Sequence, residues 1–517
     1  MEGLVEKCGA DYLLAHEYPS SGLRLYIGAG DGNRVESVGR GVCIVVDRLA
    51  AGGDVEEGLL ADTYASLLLA SPVEVQGDRG ALAGHLEAYS RRLVAEENHR
   101  LHSLLGNYLH RHALAARVGL HAARMARLAR LYTWLRPLYA RTLLRSPGWL
   151  HEAAQAAGLQ GCLLPLASLP DRRPHRPLSI AAAKTALELA LEASSLELLR
   201  AIPGEALLEG VSTPLPPPLR DPLLYVRLDS ARLATRLLGF EKQLYALTGV
   251  EGALRARRKS LIRSARLVET RQGFVTAVVK HYRDLSIAKW LLAALLSLPL
   301  PQPRLRPKQR LGAEYHYNRL LAEKGYRVAE PLLLDPRRLK AAYRYIDGRN
   351  LAELLVENSV PPAYRGFGAL LASLHRGGIA LWDSNPSNIV LSRGGSLYLV
   401  DLEQAREVES LADMAWDIAV AVYYSIPYSL GGAAERARLL ATGYIEAGGD
   451  PRAVAEASRY RYAAPFAAVV PPTVLERTRR ALARAALEGG TEIPTSRAGG
   501  EGRAPAGGER WKQGEHG

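Results

Sequence analysis

Three polar residues in the second half of the chain have the types and spacing that phosphoryl transfer requires. Asp383 and Asn388 are separated by four residues, and Asp401 follows after two apolar runs that flank the turn sequence RGGS. This pattern predicts a β-hairpin that sets the distance between Asp401 and the other two residues. A carboxylate can orient or deprotonate an acceptor hydroxyl, whereas an amide oxygen and a second carboxylate are ligands that Mg²⁺ prefers. We therefore expect Asp383 to be the catalytic carboxylate and Asn388 and Asp401 to bind the metal.

The stretch that contains these residues, 374–405, resembles the catalytic core of protein kinases. It is most similar to archaeal atypical kinases, namely the small Bud-type kinase of the KEOPS tRNA-modification complex and the RIO kinases. Aminoglycoside and choline phosphotransferases share a similar pattern. The resemblance implies a two-lobed α+β domain with a small β-rich lobe and a mainly helical large lobe. It also implies ATP and Mg²⁺ as cofactors and a phosphotransferase that acts on an alcohol group.

The resemblance extends to residues upstream that would hold the nucleotide. Residues 266–270 and 274–282 have the pattern of paired strands, and Lys280 resembles the strand lysine that contacts the ATP phosphates. Glu314, on the next long helix, matches the glutamate that forms an ion pair with this lysine. The backbone of residues 343–347, with Tyr345 at its centre, matches the hinge that would meet the adenine.

Three residues farther along the chain are expected to support the site. Asn350 would open the helix that follows the hinge, because an asparagine side chain caps helix N-termini well. Asp417 resembles the aspartate that accepts backbone N–H groups of the catalytic loop, which makes it a structural support. We interpret His375 as a packing and hydrogen-bonding residue that carries no proton in the reaction.

The sequence departs from the protein-kinase pattern in four places. The strand pair contains only Gly273 and has no GxGxxG loop, and Trp382 stands where many protein kinases have arginine. Asp401 is followed by Leu402 and Glu403, giving DLE in place of DFG. The interval from Asp401 to Asp417 is too short for a long activation segment, so regulation by phosphorylation of that loop is not expected.

Three functions remain open from the sequence. The first is an atypical serine/threonine protein kinase, or a Bud-type ATPase, that uses Mg-ATP. The second is a small-molecule kinase of the aminoglycoside or choline phosphotransferase type, which the short interval after Asp401 leaves open. The third is a pseudokinase scaffold, and the joint retention of Lys280, Glu314, Asp383 and Asp401 argues against it. The identity of the phosphoacceptor is not determined by the sequence.

Composition restricts the class of protein and its partners. Hydrophobic residues make up 48% and charged residues 23% of the chain, as in folded globular proteins. The three cysteines are far apart and show no metal-ligand spacing, which fits a reducing cytoplasm. No apolar run is long enough to span a membrane. The net charge of +13 favours an anionic partner, meaning RNA, an acidic protein or a phosphorylated substrate.

The expected domains follow from changes of pattern along the chain. Residues 1–165 are expected to form an N-terminal domain that begins with a small sheet and continues with basic helices. The sheet is predicted from two β-like runs near 22–46, which a turn-rich stretch at 29–39 separates. The arginines between Arg100 and Arg145 are interpreted as a solvated helical face, with an RNA or acidic-partner surface as the alternative. Residues 178–258 are expected to be a helical connector, including a helix at 180–199. The kinase-like domain is expected at 259–488 (lobes 259–347 and 348–488) and a disordered tail at 489–517.

Overall fold

The computed structural model describes residues 3–159, 163–171, 199–249, 257–258, 265–269, 275–282, 303–357, 361–467 and 469–491. The predicted helix at 180–199 lies outside this part except for its last residue, as do Gly273 and the chain beyond Thr491. Two compact units are formed, the first by Met1–Ser359 with Ile379–Val408 and the second by Val360–Gly378 with Glu409–Gly517. The domain boundaries drawn from the sequence stay predictions. None of the helices in the described part is long and apolar enough to cross a membrane.

The first unit begins with a five-stranded sheet in the order β3-β4-β2-β1-β5. Its strands are β1 (Ala10–Glu17), β2 (Arg24–Gly30), β3 (Arg34–Val38), β4 (Gly41–Asp47) and β5 (Glu74–Gly77). Strands β2 and β4 are parallel, and the other neighbours are antiparallel. The central strands are buried on both faces, which explains their continuous apolar runs. The predicted small sheet is confirmed, but β3 was taken for a turn because its polar residues lie at an exposed edge.

The rest of the N-terminal half is mainly helical, as expected, and most of its helices follow the sheet in the chain. They are α1 (Leu4–Cys8), α2 (Arg48–Glu57), α3 (Ala65–Leu68), α4 (Arg79–Arg111), α5 (Arg117–Leu131), α6 (Leu135–Arg145), α7 (Gly148–Ala156), α8 (Gly204–Ser212) and α9 (Pro217–Arg220). Apolar side chains of α4, α5 and α6 pack in one core with the inner strands of the sheet. A second small sheet has the order β7-β6-β8, with β6 (Ala113–Ala116), β7 (Leu163–Pro165) and β8 (Val226–Leu228).

A six-stranded sheet is formed within residues 232–344, in the order β10-β11-β12-β14-β13-β9. Its strands are β9 (Arg232–Leu233), β10 (Arg257–Arg258), β11 (Ala265–Glu269), β12 (Val275–His281), β13 (Pro331–Asp335) and β14 (Lys340–Arg344). The antiparallel pair of β11 and β12 confirms the predicted strand pair. Strand β9 pairs in parallel with β13, and α10 (Phe240–Thr248) packs on the sheet through Phe240 and Leu244. Part of the expected helical connector is therefore an edge of this sheet, because its apolar residues are buried there.

The remaining elements of the first unit surround the predicted site. They are α11 (Pro307–Glu323), α12 (Leu351–Val356), β15 (Gly348–Asn350), β16 (Ile379–Ala380), β17 (Ile389–Ser392), β18 (Leu397–Leu399) and β19 (Arg406–Glu407). Strands β17 and β18 form the predicted hairpin, with Ile389 opposite Leu399. Asn350 caps α12 as predicted, in a reciprocal capping box with Glu353.

The second unit is helical. Its helices are α13 (Pro361–Arg376), α14 (Leu411–Tyr423), α15 (Ala433–Glu446), α16 (Pro451–Ala457), α17 (Tyr460–Ala463) and α18 (Pro472–Thr491). Gly368 and Gly443 allow α13 and α15 to approach closely, because a Cβ atom at either position would meet a backbone carbonyl of the other helix. Helix α18 continues past residue 489, where the tail was expected to begin. Gly489 lies close to Ile445 of α15, so the helix is still packed at this position, and it ends at Thr491.

Candidate functional site

A buried lysine on β12 contacts three carboxylates. Lys280 Nζ lies 2.6 Å from Glu314 Oε2 and 3.1 Å from Glu403 Oε2, and it also bonds Asp401 Oδ1. Only 9% of the Lys280 side chain is exposed. Burial alone would lower the pKa of Lys280, but the three carboxylates outweigh it and raise the pKa well above its ordinary value. Lys280 is therefore a fixed cation at the centre of the cluster.

Glu314 projects from α11 into the same cluster. Its Oε2 accepts hydrogen bonds from Lys280 and, at 2.5 Å, from the Tyr282 hydroxyl. Burial raises the pKa of Glu314 to about 7; the ammonium group of Lys280 opposes the shift, and the neighbouring carboxylates add to it. The predicted Lys280 and Glu314 ion pair is present. The ionisation of Glu314 near neutral pH makes this pair sensitive to the charge placed beside it.

Glu403 is the carboxylate of the cluster that sequence reasoning missed. It lies two residues after Asp401, in the single 3-10 turn Leu402–Gln404, and its side chain is 6% exposed. Arg310 on α11 lies 3.2 Å from Glu403 and one helical turn before Glu314, so both helix residues face the cluster. The available signal is the Asp-x-Glu spacing of residues 401–403, which departs from DFG and places a second carboxylate beside Asp401.

Asp383 and Asn388 are held together in the loop before the β17–β18 hairpin. The Asn388 side-chain amide donates to the Asp383 backbone carbonyl at 2.9 Å. The Val400 backbone N–H donates to the Asn388 carbonyl at 3.0 Å, and Val400 directly precedes Asp401. Asn388 is buried and Asp383 is half-buried. The hairpin therefore connects the loop of Asp383 with the carboxylate cluster, as the spacing predicted.

Two residues at this site adopt a backbone conformation that non-glycine residues rarely take. Trp382, just before Asp383, and Asp401 both have a φ of 61°. Trp382 is 2% exposed, and the Arg406 guanidinium carbon lies 4.8 Å from the centre of its ring. Left-handed backbone outside glycine costs free energy and is retained where the surroundings enforce it. Both positions lie where the chain turns toward a predicted site residue.

Tyr345 follows β14, in the segment expected to contact the adenine. Its backbone N–H donates to the Thr276 carbonyl at 3.1 Å and so continues the pairing of β14 with β12. That N–H is therefore engaged within the sheet. The contact of Tyr345 with a nucleotide stays a prediction.

Asp417 lies on α14 in the second unit, where it is completely buried. Its Oδ2 lies 3.1 Å from His375 Nε2, and His375 Nδ1 lies 2.9 Å from the Tyr444 hydroxyl. His375 is thus a hydrogen-bonded packing residue, as we interpreted it from the sequence. The support that Asp417 was expected to give to the catalytic loop stays a prediction.

The chain after Asp401 is clamped by Arg304, which lies just before α11. The Arg304 guanidinium donates to the carbonyls of Gln404 and Ala405 at 2.8 and 2.6 Å. It also donates to the Tyr108 hydroxyl of α4 at 3.1 Å. An N-terminal helix therefore shares a partner with the segment that carries Glu403.

Helix α4 also braces α11 directly. Gly106 interrupts α4 with a φ of 77°, which is readily adopted only by glycine, and such a break leaves backbone carbonyls without helical partners. Lys308 of α11 donates to one of these, the Ser103 carbonyl, at 2.7 Å. The helix that carries Glu314 is thereby tied to the N-terminal half of the chain.

The basic helices contain an inward-facing arginine that the sequence did not distinguish from the others. Arg124 is 11% exposed and lies 3.1 Å from Asp62 and 2.7 Å from Glu96. Its ion pairs join α5 to α4 and to the loop after α2. Arg124 is thus part of an internal ion network and is not available to a partner, whereas Arg127 and Arg130 are exposed.

Comparison with known proteins gives matches among solved structures. No protein-family model matches this chain, and no curated protein matches it. Among solved structures, the chain is similar to the Rio2 kinase-ADP/Mg²⁺-phosphoaspartate complex from Chaetomium thermophilum. The two are 15% identical, with a TM-score of 0.24, over 48% of this chain and 75% of that chain.

The carboxylate cluster offers a donor set that fits a divalent metal. In the described part of the chain, one oxygen from each of Glu314, Asp401 and Glu403 lies within 4.8 Å of the others. Carboxylate oxygens are the hard ligands that Mg²⁺ prefers. Glu314 already accepts two short hydrogen bonds, whereas Asp401 is 36% exposed. Asp401 and Glu403 are therefore the members best placed to bind a metal, with Asn388 as the predicted amide ligand.

Proposed function

We propose that this chain is an ATP-dependent phosphotransferase that uses Mg²⁺ and transfers a phosphoryl group to an alcohol. The observation that carries the proposal is the buried Lys280, which bonds Glu314 and Asp401 at once. A buried lysine shared by these residues is the arrangement in which a kinase holds ATP phosphates beside its metal ligand. A scaffold without catalysis has no physical need for it.

Each residue of the site has a separate task in this proposal. Glu314 fixes the ammonium group of Lys280, which then binds phosphate oxygens. Asp401, Glu403 and Asn388 hold Mg²⁺, which when bound neutralises charge on the phosphates. Asp383 orients the acceptor hydroxyl and takes its proton. Little covalent chemistry is left to the protein, so positioning and charge supply most of the rate enhancement.

We favour a serine or threonine side chain as the acceptor of the phosphoryl group. If water is the acceptor in place of this side chain, the same site hydrolyses ATP. The second candidate is a small hydroxylated molecule. The observation that favours this candidate is the length of chain between Asp401 and α14, which contains only the 3-10 turn Leu402–Gln404 and β19. A segment this short offers little platform for an extended peptide.

The test is incubation of the full chain with radiolabelled ATP and Mg²⁺, alone and with a generic protein acceptor. Asp383→Asn and Asp401→Asn should each lower phosphoryl transfer by about 100-fold or more, because each removes a charge that acts in the transition state. Asp31→Asn is the matched control, since Asp31 is 84% exposed and lies in the N-terminal sheet region. Transfer that survives both site substitutions would refute the site.

The products separate the alternatives. Label on protein supports the kinase, and release of inorganic phosphate alone supports the ATPase. Label on a small hydroxylated compound supplied to the reaction supports the second candidate. Absence of ATP binding and turnover under all conditions leaves the pseudokinase scaffold and overturns the proposal.

A further inference from the structure

A cavity of about 220 Å³ in the first unit has a charged lining made of arginines. The cavity shares no residue with the carboxylate cluster. The arginines come from both halves of the chain and are Arg100, Arg127, Arg130, Arg220, Arg236 and Arg337. By volume the cavity has room for about seven waters. It is large enough for a small anion and shows the charge that would attract one.

The two long N-terminal helices create the space. Arg127 and Arg130 are three residues apart on α5 and therefore face the same side. Ala123 and Ala126 lie on that side too, and their short side chains leave the volume open. Arg100 enters from α4. The lining therefore combines an apolar floor with guanidinium groups around it.

Two buried carboxylates fix half of the arginines in place. Glu97, whose side chain is fully buried, accepts from Arg100 Nε at 2.5 Å and from Arg127. Asp221, also fully buried, accepts two hydrogen bonds from Arg337 at 2.6 and 3.1 Å. These bonds orient three guanidinium groups before any ligand arrives, which reduces the entropy cost of binding.

The positive charge of the cavity is only partly balanced. Six guanidinium groups against the carboxylates of Glu97 and Asp221 leave four positive charges. Arg100 Nη2 is buried and has no hydrogen-bond partner among the described residues. Buried polar groups are normally paired, so this nitrogen of a lining residue can still donate a hydrogen bond to a ligand. Burial lowers the pKa of Arg127, Glu97 opposes this shift, and the nearby Arg124 and Arg100 add to it.

We propose that this cavity binds a compact anion with a diphosphate group. A phosphate group carries about −1.5 to −2 charges at neutral pH, so about two to three such groups balance four positive charges. Guanidinium groups bind phosphate oxygens through two parallel hydrogen bonds, which suits a lining of arginines. A cavity of about 220 Å³ fits a compact anion, whereas RNA needs an extended groove along its backbone.

The bound anion would connect two parts of the first unit. Arg100, Arg127 and Arg130 belong to α4 and α5. Arg337 lies in the turn between β13 and β14 of the six-stranded sheet. Its phosphate groups would bridge the N-terminal helices and that sheet. The proposal does not depend on the phosphotransferase activity, because no residue of the catalytic site lines the cavity.

The test is isothermal titration calorimetry of the full chain with inorganic pyrophosphate, in the absence of divalent metal. The test variant is Arg130→Gln with Arg236→Gln, since neither guanidinium forms an ion pair in the described part and the fold should be preserved. The control is Arg91→Gln with Arg232→Gln, an equal charge change at two arginines outside the lining. Pyrophosphate should bind the wild type and control alike.

The test variant should bind pyrophosphate at least about tenfold more weakly, as expected when charge-assisted hydrogen bonds are lost. Parallel titrations with ADP distinguish the source, because tighter binding of ADP with the same dependence on Arg130 and Arg236 identifies a nucleotide diphosphate. Equal affinity in the test variant and wild type overturns the proposal, as does absence of pyrophosphate binding. Binding of single-stranded RNA without pyrophosphate binding also overturns it and assigns the arginines to RNA.

Discussion

Replacing Lys280 with methionine should destabilise the protein in a pH-dependent way. Methionine has a similar length but no charge, so Glu314, Asp401 and Glu403 would lose the cation that they share. Removing one partner from a buried ion cluster costs about 3–5 kcal/mol, because the remaining charge is left uncompensated. Here the remaining charge consists of three carboxylates. They can relieve it by taking up a proton, and this makes the loss depend on pH.

The magnitude follows from the distances. Carboxylate oxygens 4.8 Å apart repel each other by about 3.5 kcal/mol at an effective dielectric constant of 20. Solvent screens the repulsion that involves Asp401, which is 36% exposed, so most of the repulsion acts between the buried Glu314 and Glu403. This repulsion would hold a proton on the cluster of the variant well above neutral pH. The carboxylate cluster of the folded variant therefore has a higher pKa for this proton than the same carboxyl groups have in the unfolded chain.

The sign follows from this raised pKa. A carboxyl group with a raised folded pKa stabilises the fold fully below its unfolded pKa, and that contribution is lost as the pH rises through the folded value. In the wild type, this contribution to stability is lost as Glu314 ionises near its pKa of about 7. In the variant, the free energy of unfolding continues to fall by about 1.4 kcal/mol per pH unit above about pH 7, because the cluster keeps its proton there. Between about pH 7 and 8.5 the variant should lose about 2 kcal/mol more than the wild type.

Urea unfolding followed by tryptophan fluorescence at several pH values measures this difference. Lys242→Met is the matched control, because Lys242 is an exposed lysine on α10 of the same unit. The control should lose no stability at either pH. If Lys280→Met lowers the free energy of unfolding equally at about pH 7 and 8.5, the three carboxylates do not interact as the geometry requires, and the reasoning is refuted.

Three further predictions concern the surroundings of the cluster. Glu403→Gln should raise the Mg²⁺ concentration needed for half-maximal ATP turnover by about tenfold, because one anionic ligand is lost. The control is Glu407→Gln, at an exposed residue. Equal magnesium titrations of the two variants would contradict the role of Glu403. Arg304→Ala should lower the free energy of unfolding by about 2–3 kcal/mol, since its charge-assisted bonds to two carbonyls are lost; an unchanged urea midpoint would show that the clamp is unimportant. Gly443→Ala should destabilise the fold by about 1–3 kcal/mol through overpacking and so lower the melting temperature. Gly431→Ala is the control and should leave the melting temperature unchanged, because the space around Gly431 is open. Equal melting temperatures of the two variants would exclude close packing of α13 and α15.

Much of the second half of the chain could be predicted because its signals are local. The apolar runs on either side of RGGS specify the β17–β18 hairpin, and Asn350 with Glu353 specifies the start of α12. In both cases the hydrogen bonds join residues only a few positions apart. Turn and cap preferences depend on local backbone geometry, so sequence spacing is sufficient to recognise them.

The N-terminal half was less predictable because its contacts are distant in sequence. Strand β3 was taken for a turn, since the sequence does not show that β4 pairs with it. The run of arginines gave no sign that Arg124 faces inward toward Asp62 while Arg127 and Arg130 line a cavity. Burial of one arginine and exposure of another on the same helix depend on what packs against each face.

The sequence by itself determined the types, order and spacing of Lys280, Glu314, Asp383, Asn388 and Asp401, and hence the chemistry to look for. Tertiary structure alone decided that Glu403 joins Lys280, from a position 123 residues away, and that Arg310 holds it there. It also decided that α4 braces the helix of Glu314. The physical reason is that covalent spacing limits only near neighbours, whereas the partner of a buried charge is fixed by how distant elements pack around it.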